Sequence, residues 1–306
     1  MLADNRCNDK AFDFVTRVFI YRYAVSEKLG NRRVTGTEQY YTPADLAFQL
    51  TTTALSLIPE WEQKTFLEPA GGTGSFVVAL EQLGAKEVIS FDTEPRHPAV
   101  QKQDFLSSDL IGQDLITISN PPFGRNNALS IPFFNKAAKH SSHIAFLVPR
   151  SWRKWSVINR LDPNFHLVSD EDVSVVYQDQ NGVPITGHDQ LRTCFQVWEK
   201  RIESRSKIVV PDHGFITRSN PNDATVAMRV FGYGCGKVYR EFPRRPNTTM
   251  MFLAVSEPGI IDVLEGLDYE RFASRTAYTK ALSLQEINFL LNEKLLGDGF
   301  SQKGQN

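Results

Sequence analysis

Short apolar runs alternate with segments of helical periodicity along the first two hundred residues of this 306-residue chain. The apolar runs, which are rich in Val, Ile, Leu and Phe, predict buried strands at residues 64–69, 86–91, 114–119 and 143–149. Apolar residues at helical spacing predict helices at 75–83 and 131–140. This alternation is typical of a parallel sheet with helices on both faces, so the predicted fold class is α/β.

The pattern also predicts what lies at the two ends of this sheet. Residues 9–29 have the apolar spacing of a helix, and a second helix is expected to begin at Thr42, as N-cap, and Pro43. The apolar segments 173–177 and 193–198 predict the last two strands, arranged as a hairpin that closes one edge.

Beyond residue 200 the pattern changes. Residues 207–255 are rich in Gly, Pro, Asn and β-branched residues, which predicts short strands and turns. Helical periodicity returns over 257–295, where Ser283 and Glu286 form a capping-box pattern. We therefore expect two parts, residues 1–200 and 201–306, of which the second is a small α+β region.

Composition places the chain among ordinary globular proteins, with 41% hydrophobic and 23% charged residues and a net charge of −1. The charge is uneven, because residues 200–245 hold 10 Lys/Arg and 4 Asp/Glu, a net charge of +6. Such a block binds polyanions, although a solvated charged surface explains it equally well.

Several classes of protein are not expected. The chain shows neither an apolar run long enough to span a membrane nor a secretory signal. Its three cysteines, Cys7, Cys194 and Cys235, are far apart, which favours a reducing, cytoplasmic setting and gives no metal-ligand spacing. The six histidines show no metal spacing either, so no metal site is expected.

A glycine-rich bend follows the first predicted strand. Glu68-Pro69-Ala70-Gly71-Gly72-Thr73-Gly74 runs from the strand into a predicted helix, where free backbone N–H groups gather. Glycines allow the backbone to turn sharply and to approach a ligand, so the bend suits a nucleotide or nucleoside. A tight structural turn is the alternative.

Two acidic positions follow in the same sheet. Asp92 ends the second predicted strand, where a carboxylate can accept hydrogen bonds from two ribose hydroxyls. Asp104 can accept from an exocyclic adenine amine, and Phe105 can flank the adenine ring. Turn-forming or solvated acids are the alternatives for both.

Asn120-Pro121-Pro122-Phe123 directly follows the strand at 114–119. Two prolines fix the backbone, so the Pro121 carbonyl and the Asn120 side-chain oxygen can form a preorganised pair of acceptors. Phe123 offers a face on which a planar base can stack. Two acceptors that take both hydrogens of an aromatic amine localise its lone pair, which can then attack an electrophilic methyl group. A strand-ending turn is the alternative.

Together these motifs resemble the amino-methyltransferases, specifically the adenine-N6 methyltransferases that use S-adenosyl-L-methionine. Asn120–Phe123 is similar to the family's Asn/Asp-Pro-Pro-aromatic motif, Glu68–Gly74 to its glycine loop and Tyr41-Thr42-Pro43 to its upstream cofactor segment. This order, with a target-recognition region last, resembles the gamma arrangement. The resemblance covers about residues 38–200.

The resemblance implies a Rossmann-like methyltransferase domain with a mainly parallel seven-stranded sheet, and DNA as substrate. It implies that the cofactor is bound by Tyr41, Thr42, Pro43, Glu68, Pro69, Ala70, Gly71, Gly74, Asp92, Asp104, Phe105 and Asn120. It implies that the target adenine is held by Asn120, Pro121, Pro122 and Phe123.

Basic and aromatic residues near the predicted strand ends and in the basic block are candidate DNA contacts, namely Arg125, Arg150, Trp152, Arg153, Arg240, Arg244 and Arg245. An ordinary amphipathic surface is the alternative. Adenine in RNA and a protein glutamine amide are alternative substrates, and a catalytically silent nucleic-acid-binding subunit is an alternative class. A separate specificity subunit stays open as a partner.

Overall fold

The computed structural model describes residues 40–185 and 191–301. The helix expected over 9–29 lies outside the described residues. The helices up to residue 200 are α1 (Ala44–Ser56), α2 (Ser75–Gln82), α3 (Ser130–Ala137) and α4 (Trp155–Ile158). The strands are β1 (Phe66–Glu68), β2 (Val88–Asp92), β3 (Gln101–Lys102), β4 (Leu115–Ser119), β5 (Ser141–Pro149), β6 (Phe165–Val173) and β7 (Thr193–Lys200).

The seven strands form one sheet in the order β3-β2-β1-β4-β5-β7-β6. Strands β1 to β5 are parallel, whereas β7 runs antiparallel to both β5 and β6. The chain leaves β1 towards one edge and returns at β4 towards the other, so β1 and β4 are neighbours at a topological switch point. Ligands bind at the carboxyl ends of strands at such points. The predicted Rossmann-like α/β fold, with a mainly parallel seven-stranded sheet, is confirmed.

Burial explains why the central strands were predictable from sequence. All five residues of β4 are buried, which is typical of a strand covered on both faces. One core contains Ala47 of α1 and Phe66 of β1, and the opposite core contains Phe134 of α3 and Phe146 of β5. Helices therefore cover both faces of the sheet, as expected.

The predicted sixth strand at 173–177 was wrong. Strand β6 ends at Val173, and the residues that follow it include the buried side chains of Val175 and Tyr177 without forming a strand. The acidic residues 170–172 lie within β6 and pair with β7, because an edge strand tolerates charged side chains.

A second sheet of four strands follows β7. It has the order β10-β9-β11-β8, with β8 (Ile216–Arg218), β9 (Val226–Arg229), β10 (Val238–Tyr239) and β11 (Met250–Val255). The helices of this part are α5 (Gly259–Glu265), α6 (Glu270–Ala273) and α7 (Leu284–Leu296). Helix α7 begins with the predicted capping box, since Ser283 and Glu286 bond each other's backbone N–H groups. The predicted small α+β region is thus confirmed.

A buried ion pair joins this region to the end of β5. Lys154 Nζ donates to Glu286 Oε1 at 2.7 Å, and it also donates to the carbonyls of Phe272 and Ala281. The side chains of Lys154 and Glu286 are only 15% and 3% exposed. Burial lowers the pKa of Lys154, opposed by Glu286. Within the described ranges, no helix has the length and apolar character that a membrane span needs.

Candidate active site

The glycine loop joins β1 to α2 in the way its sequence predicts. Gly74 is the N-cap of α2 with φ of +82°, and Gly72 has φ of +48°, a region that favours glycine. A Cβ atom on Gly74 would lie 2.5 Å from the His97 ring, and one on Gly72 would lie 2.6 Å from the Tyr41 ring. Side chains from two other segments therefore pack directly on the loop backbone.

Glu68 is buried at the end of β1, with 1% of its surface exposed. Its Oε1 accepts from Ser119 Oγ at 2.6 Å and from Ala70 N at 2.9 Å. Burial raises the pKa of Glu68 to about 8, although both hydrogen bonds act in the opposite direction. The carboxyl group thus ties the glycine loop to the end of β4.

Asp92 lies at the carboxyl end of β2, half-buried beside the same loop. Its Oδ2 accepts from Gly72 N and its Oδ1 accepts from Glu94 N, both at 2.8 Å. Each carboxylate oxygen can accept more than one hydrogen bond. Asp92 therefore orders the loop and keeps acceptor capacity for hydroxyl groups.

Asp104 and Phe105 follow β3 and have different environments. Asp104 Oδ1 accepts from Leu106 N at 3.0 Å and caps a short 3₁₀ turn. The ring of Phe105 is 1% exposed and packs between Phe91 and Phe133. In this position Phe105 belongs to the core, so the predicted contact of its ring with adenine is not supported.

Asn120 follows β4 and has an asymmetric environment. Its Nδ2 donates to the Tyr40 carbonyl at 3.0 Å and to Thr42 Oγ1 at 3.2 Å. Its Oδ1 is buried and has no hydrogen-bond partner. No hydrogen bond to the Pro121 carbonyl is found within residues 40–185 and 191–301. An unpartnered buried acceptor is costly in a folded protein, and Asn120 Oδ1 is therefore available to a donor.

The contact of Asn120 with Thr42 corrects the predicted cap. Pro43 occupies the N-cap position of α1 and has no polar side-chain atom that could cap the helix. The Thr42 hydroxyl accepts from Asn120 Nδ2. The Thr42 carbonyl accepts from Ser75 Oγ at 2.8 Å. Tyr41 is bridged to Gln178 by two backbone hydrogen bonds of 3.1 and 3.0 Å. Residues 40–43, which we call the upstream segment, therefore touch each part of the site.

The upstream segment, the glycine loop and Asn120 line a partly open cavity of about 30 Å³. The lining residues are Tyr40, Tyr41, Thr42, Ala70, Gly71, Gly72, Thr73, Ser75, Phe76 and Asn120. Pockets that bind small molecules usually have about 300–1,000 Å³. The donors and acceptors fit a nucleoside cofactor, but the upstream segment has to move to admit one.

Phe123 and Arg125 lie beyond the two prolines. Phe123 is half-buried and packs against the core on the α1 side of the sheet, and its carbonyl accepts from Leu129 N and Ser130 N. Arg125 is exposed, and its guanidinium has no hydrogen bond within the described ranges. The loop that follows Asn120 thus carries a half-buried ring and an exposed guanidinium.

Most other predicted DNA contacts have partners within the chain. Arg150 pairs with Asp172 at 2.7 Å, and Arg153 binds Asp170 and Asp172 of β6. Trp152 has no exposed surface, and its Nε1 donates to Ser130 Oγ, so a stacking role is not supported.

The basic block shows the same pattern at two positions. Arg240 pairs with Asp262 and Glu265, and Arg244 donates to three backbone carbonyls. Arg245 is exposed and has no side-chain partner in residues 40–185 and 191–301. The structure does not bring these arginines to Asn120 as one group.

Sequence inspection missed two parts of the site. His97 covers Gly74, and Tyr177 lies beside the Tyr40 ring with a centroid distance of 5.2 Å. The Tyr177 hydroxyl is buried without a hydrogen-bond partner. Adjacent aromatic residues at 40 and 41 were the available signal for this cluster. Nothing in the sequence pointed to His97.

No protein-family model matches the chain, and no curated protein matches it. Solved structures give weak similarity. A protein provisionally described as an RNA methyltransferase from Pyrococcus horikoshii has 22% identity and a TM-score of 0.44, over 56% of this chain and 91% of that one. A protein provisionally described as a class I S-adenosylmethionine-dependent methyltransferase from Listeria monocytogenes has 17% identity and a TM-score of 0.40, over 55% and 63%.

A third similar structure is a modification subunit, provisionally described, of a type I restriction enzyme from Vibrio vulnificus. It has 16% identity and a TM-score of 0.39, over 59% of this chain and 49% of that one. The residues of the chain itself therefore decide what the site can do.

Proposed function

We propose that the chain is an S-adenosyl-L-methionine-dependent methyltransferase that acts on the N6 amine of adenine in DNA. The carrying observation is the buried, unpartnered Oδ1 of Asn120, adjacent to the Pro121 carbonyl at the carboxyl end of β4. Its amide orientation is fixed, because Nδ2 already donates to Tyr40 and Thr42.

The upstream segment, the glycine loop and Asp92 would hold the cofactor. Asp92 would accept from ribose hydroxyls, and the close-packed backbone at Gly71 and Gly72 would face the methionine part. The cofactor supplies an electrophilic methyl group on a sulfonium.

Asn120 Oδ1 and the Pro121 carbonyl would accept the two N–H hydrogens of the adenine amine. The amine nitrogen is a weak nucleophile while its lone pair is delocalised into the ring. Two acceptors favour a tetrahedral nitrogen with a localised lone pair, and Phe123 would hold the base by stacking. A base inside a duplex cannot reach this position, so the target base would be flipped out.

The test measures transfer of labelled methyl groups from S-adenosyl-L-methionine to duplex DNA, single-stranded DNA and RNA of matched sequence. We expect Asn120→Ala to reduce transfer by at least 100-fold, since both the acceptor and the fixed geometry are lost. Asn222→Ala is the matched control, because Asn222 is exposed on a distant turn.

Transfer by Asn120→Ala at the wild-type rate would contradict the proposal. Faster transfer to RNA than to duplex or single-stranded DNA would mean that RNA is the substrate of the same reaction. Calorimetry that shows no cofactor binding by the wild-type protein would favour the silent nucleic-acid-binding subunit.

A further inference from the structure

The outer face of the second sheet is distinct from the face that forms the core. Val226 and Met228 of β9 and Met251 and Leu253 of β11 point into the core beneath α5 to α7. Side chains alternate along a strand, so their neighbours point the other way. We call the residues Ala227, Arg229, Lys237, Tyr239, Met250 and Phe252 the outer face.

Strand register arranges the outer face in two rows. Tyr239 lies opposite Ala227, which lies opposite Phe252, so the two aromatic residues flank a methyl group on the middle strand. Strands are about 4.8 Å apart, which places the backbones bearing the two rings about 10 Å apart. Ala227 itself has no exposed surface, so the exposed apolar surface of this row comes from the two half-buried rings.

The second row carries positive charge. Arg229 lies opposite Met250, and its N–H donates to the Lys237 carbonyl at 2.8 Å. Lys237 Nζ lies 5.2 Å from the centroid of the Tyr239 ring. Neither Arg229 nor Lys237 has an ion-pair partner within residues 40–185 and 191–301, and no residue of the outer face is acidic.

The aromatic row continues past Phe252. The Phe242 ring packs against Phe252 with a centroid distance of 5.7 Å, and the Arg244 guanidinium lies 4.2 Å above Phe242. In contrast, Arg240 of the same basic block is neutralised by two carboxylates. Unneutralised cations and half-buried rings thus occur together on this face.

We propose that the outer face binds a single-stranded stretch of nucleic acid, with bases stacked on Tyr239 and Phe252 and phosphates near Arg229 and Lys237. The proposal rests on the proposed function, whose substrate it specifies. Rings on a flat sheet can stack only on unpaired bases, because paired bases present edges in the grooves and hide their faces. Arg229 and Lys237, neither of which has an ion-pair partner among the described residues, complement phosphate groups.

The test measures fluorescence anisotropy of labelled oligonucleotides with the full chain and no cofactor. We expect single strands to bind more tightly than a duplex, and Tyr239→Ala to weaken binding about 10-fold. Tyr239→Phe keeps the ring and should bind like wild type, which separates stacking from a loss of structure.

The charge variant is Arg229→Gln with Lys237→Gln. If two phosphate contacts are lost, the slope of log affinity against log salt should fall by about 1.4 for a single strand. The matched control is Lys86→Gln with Lys139→Gln, which removes two exposed lysines at the amino-end edge of the first sheet. This control should leave the slope unchanged.

Three results would overturn the proposal: equal binding of single strand and duplex, unchanged affinity of Tyr239→Ala, or an unchanged salt slope of the charge variant. DNA and RNA single strands are compared in parallel, and preference for either keeps the proposal. Cofactor binding by the same preparations is measured by calorimetry, which separates the two hypotheses. If cofactor binding is normal and every variant binds the oligonucleotides as tightly as wild type, only the proposal for the outer face is rejected.

Discussion

Replacement of Glu68 by Gln should change how stability depends on pH. Burial raises the pKa of Glu68 to about 8, from 4.5 for the unfolded chain. The folded state therefore binds the proton more tightly. The stabilising effect of this proton is complete below the pKa of Glu68 in the unfolded chain. It is lost as the pH rises through the pKa of Glu68 in the folded protein. Between pH 5 and pH 8 this group should remove about 3 to 4 kcal/mol of stability.

Gln cannot ionise, but its carbonyl oxygen can still accept from Ser119 Oγ and Ala70 N. The difference in unfolding free energy between Glu68→Gln and wild type should therefore shift in favour of the variant by about 3 to 4 kcal/mol from pH 5 to pH 8. Urea unfolding at a series of pH values measures it. Glu62→Gln is the control, because Glu62 is an exposed carboxylate shortly before β1.

Ser119→Ala provides an independent check on the cause. The Ser119 hydrogen bond lowers the pKa of Glu68, so its removal should extend the loss of stability to higher pH. A difference between Glu68→Gln and wild type that stays constant across the pH series would refute the reasoning. The carboxyl group would then be ionised in the folded protein throughout that range.

Three further variants test the packing around the site by chemical unfolding. Gly74→Ala should lose about 1–3 kcal/mol, because φ is +82° and the new Cβ meets His97; equal stability would contradict this contact. Lys154→Met should lose about 3–5 kcal/mol by leaving Glu286 buried and unpaired, and Lys154→Met with Glu286→Gln should recover part of it. Tyr177→Phe removes a buried hydroxyl without a partner, so stability should stay equal or rise by about 1 kcal/mol, whereas a loss would reveal a missed partner.

The central sheet was predictable because its strands are buried on both faces. Strand β4 is continuous in apolar residues, and the glycine loop and Asn120 follow strands at the carboxyl edge, where a parallel sheet places its ligands. Strand β6 was not predictable in the same way. Its Asp170 and Asp172 are partners of Arg153, an interaction between residues far apart in sequence.

The sequence did not show which of the predicted site residues are buried or paired within the chain. Trp152 and Phe105 are large aromatic residues near the predicted rim, and sequence alone does not distinguish a stacking ring from a core ring. Both became core residues, since their neighbours on α3, such as Phe133 and Phe134, offer aromatic partners. Most of the predicted arginines form ion pairs or hydrogen bonds with carboxylates or carbonyls of the chain. Neither their positions in the sequence nor a count of charges indicates these partners.

The upstream segment links cofactor entry to the orientation of Asn120. Its Tyr40 carbonyl and Thr42 hydroxyl are the two groups that fix the Asn120 amide, and its Tyr41 ring covers Gly72 of the glycine loop. Movement that opens the cavity therefore also removes the acceptors that direct Asn120 Nδ2. If the site binds a cofactor and an amine as proposed, the amine acceptor is correctly directed only after the segment has closed over the loop. Closure of the upstream segment would then link cofactor binding to the correct orientation of Asn120, because this one segment contacts both the glycine loop and Asn120.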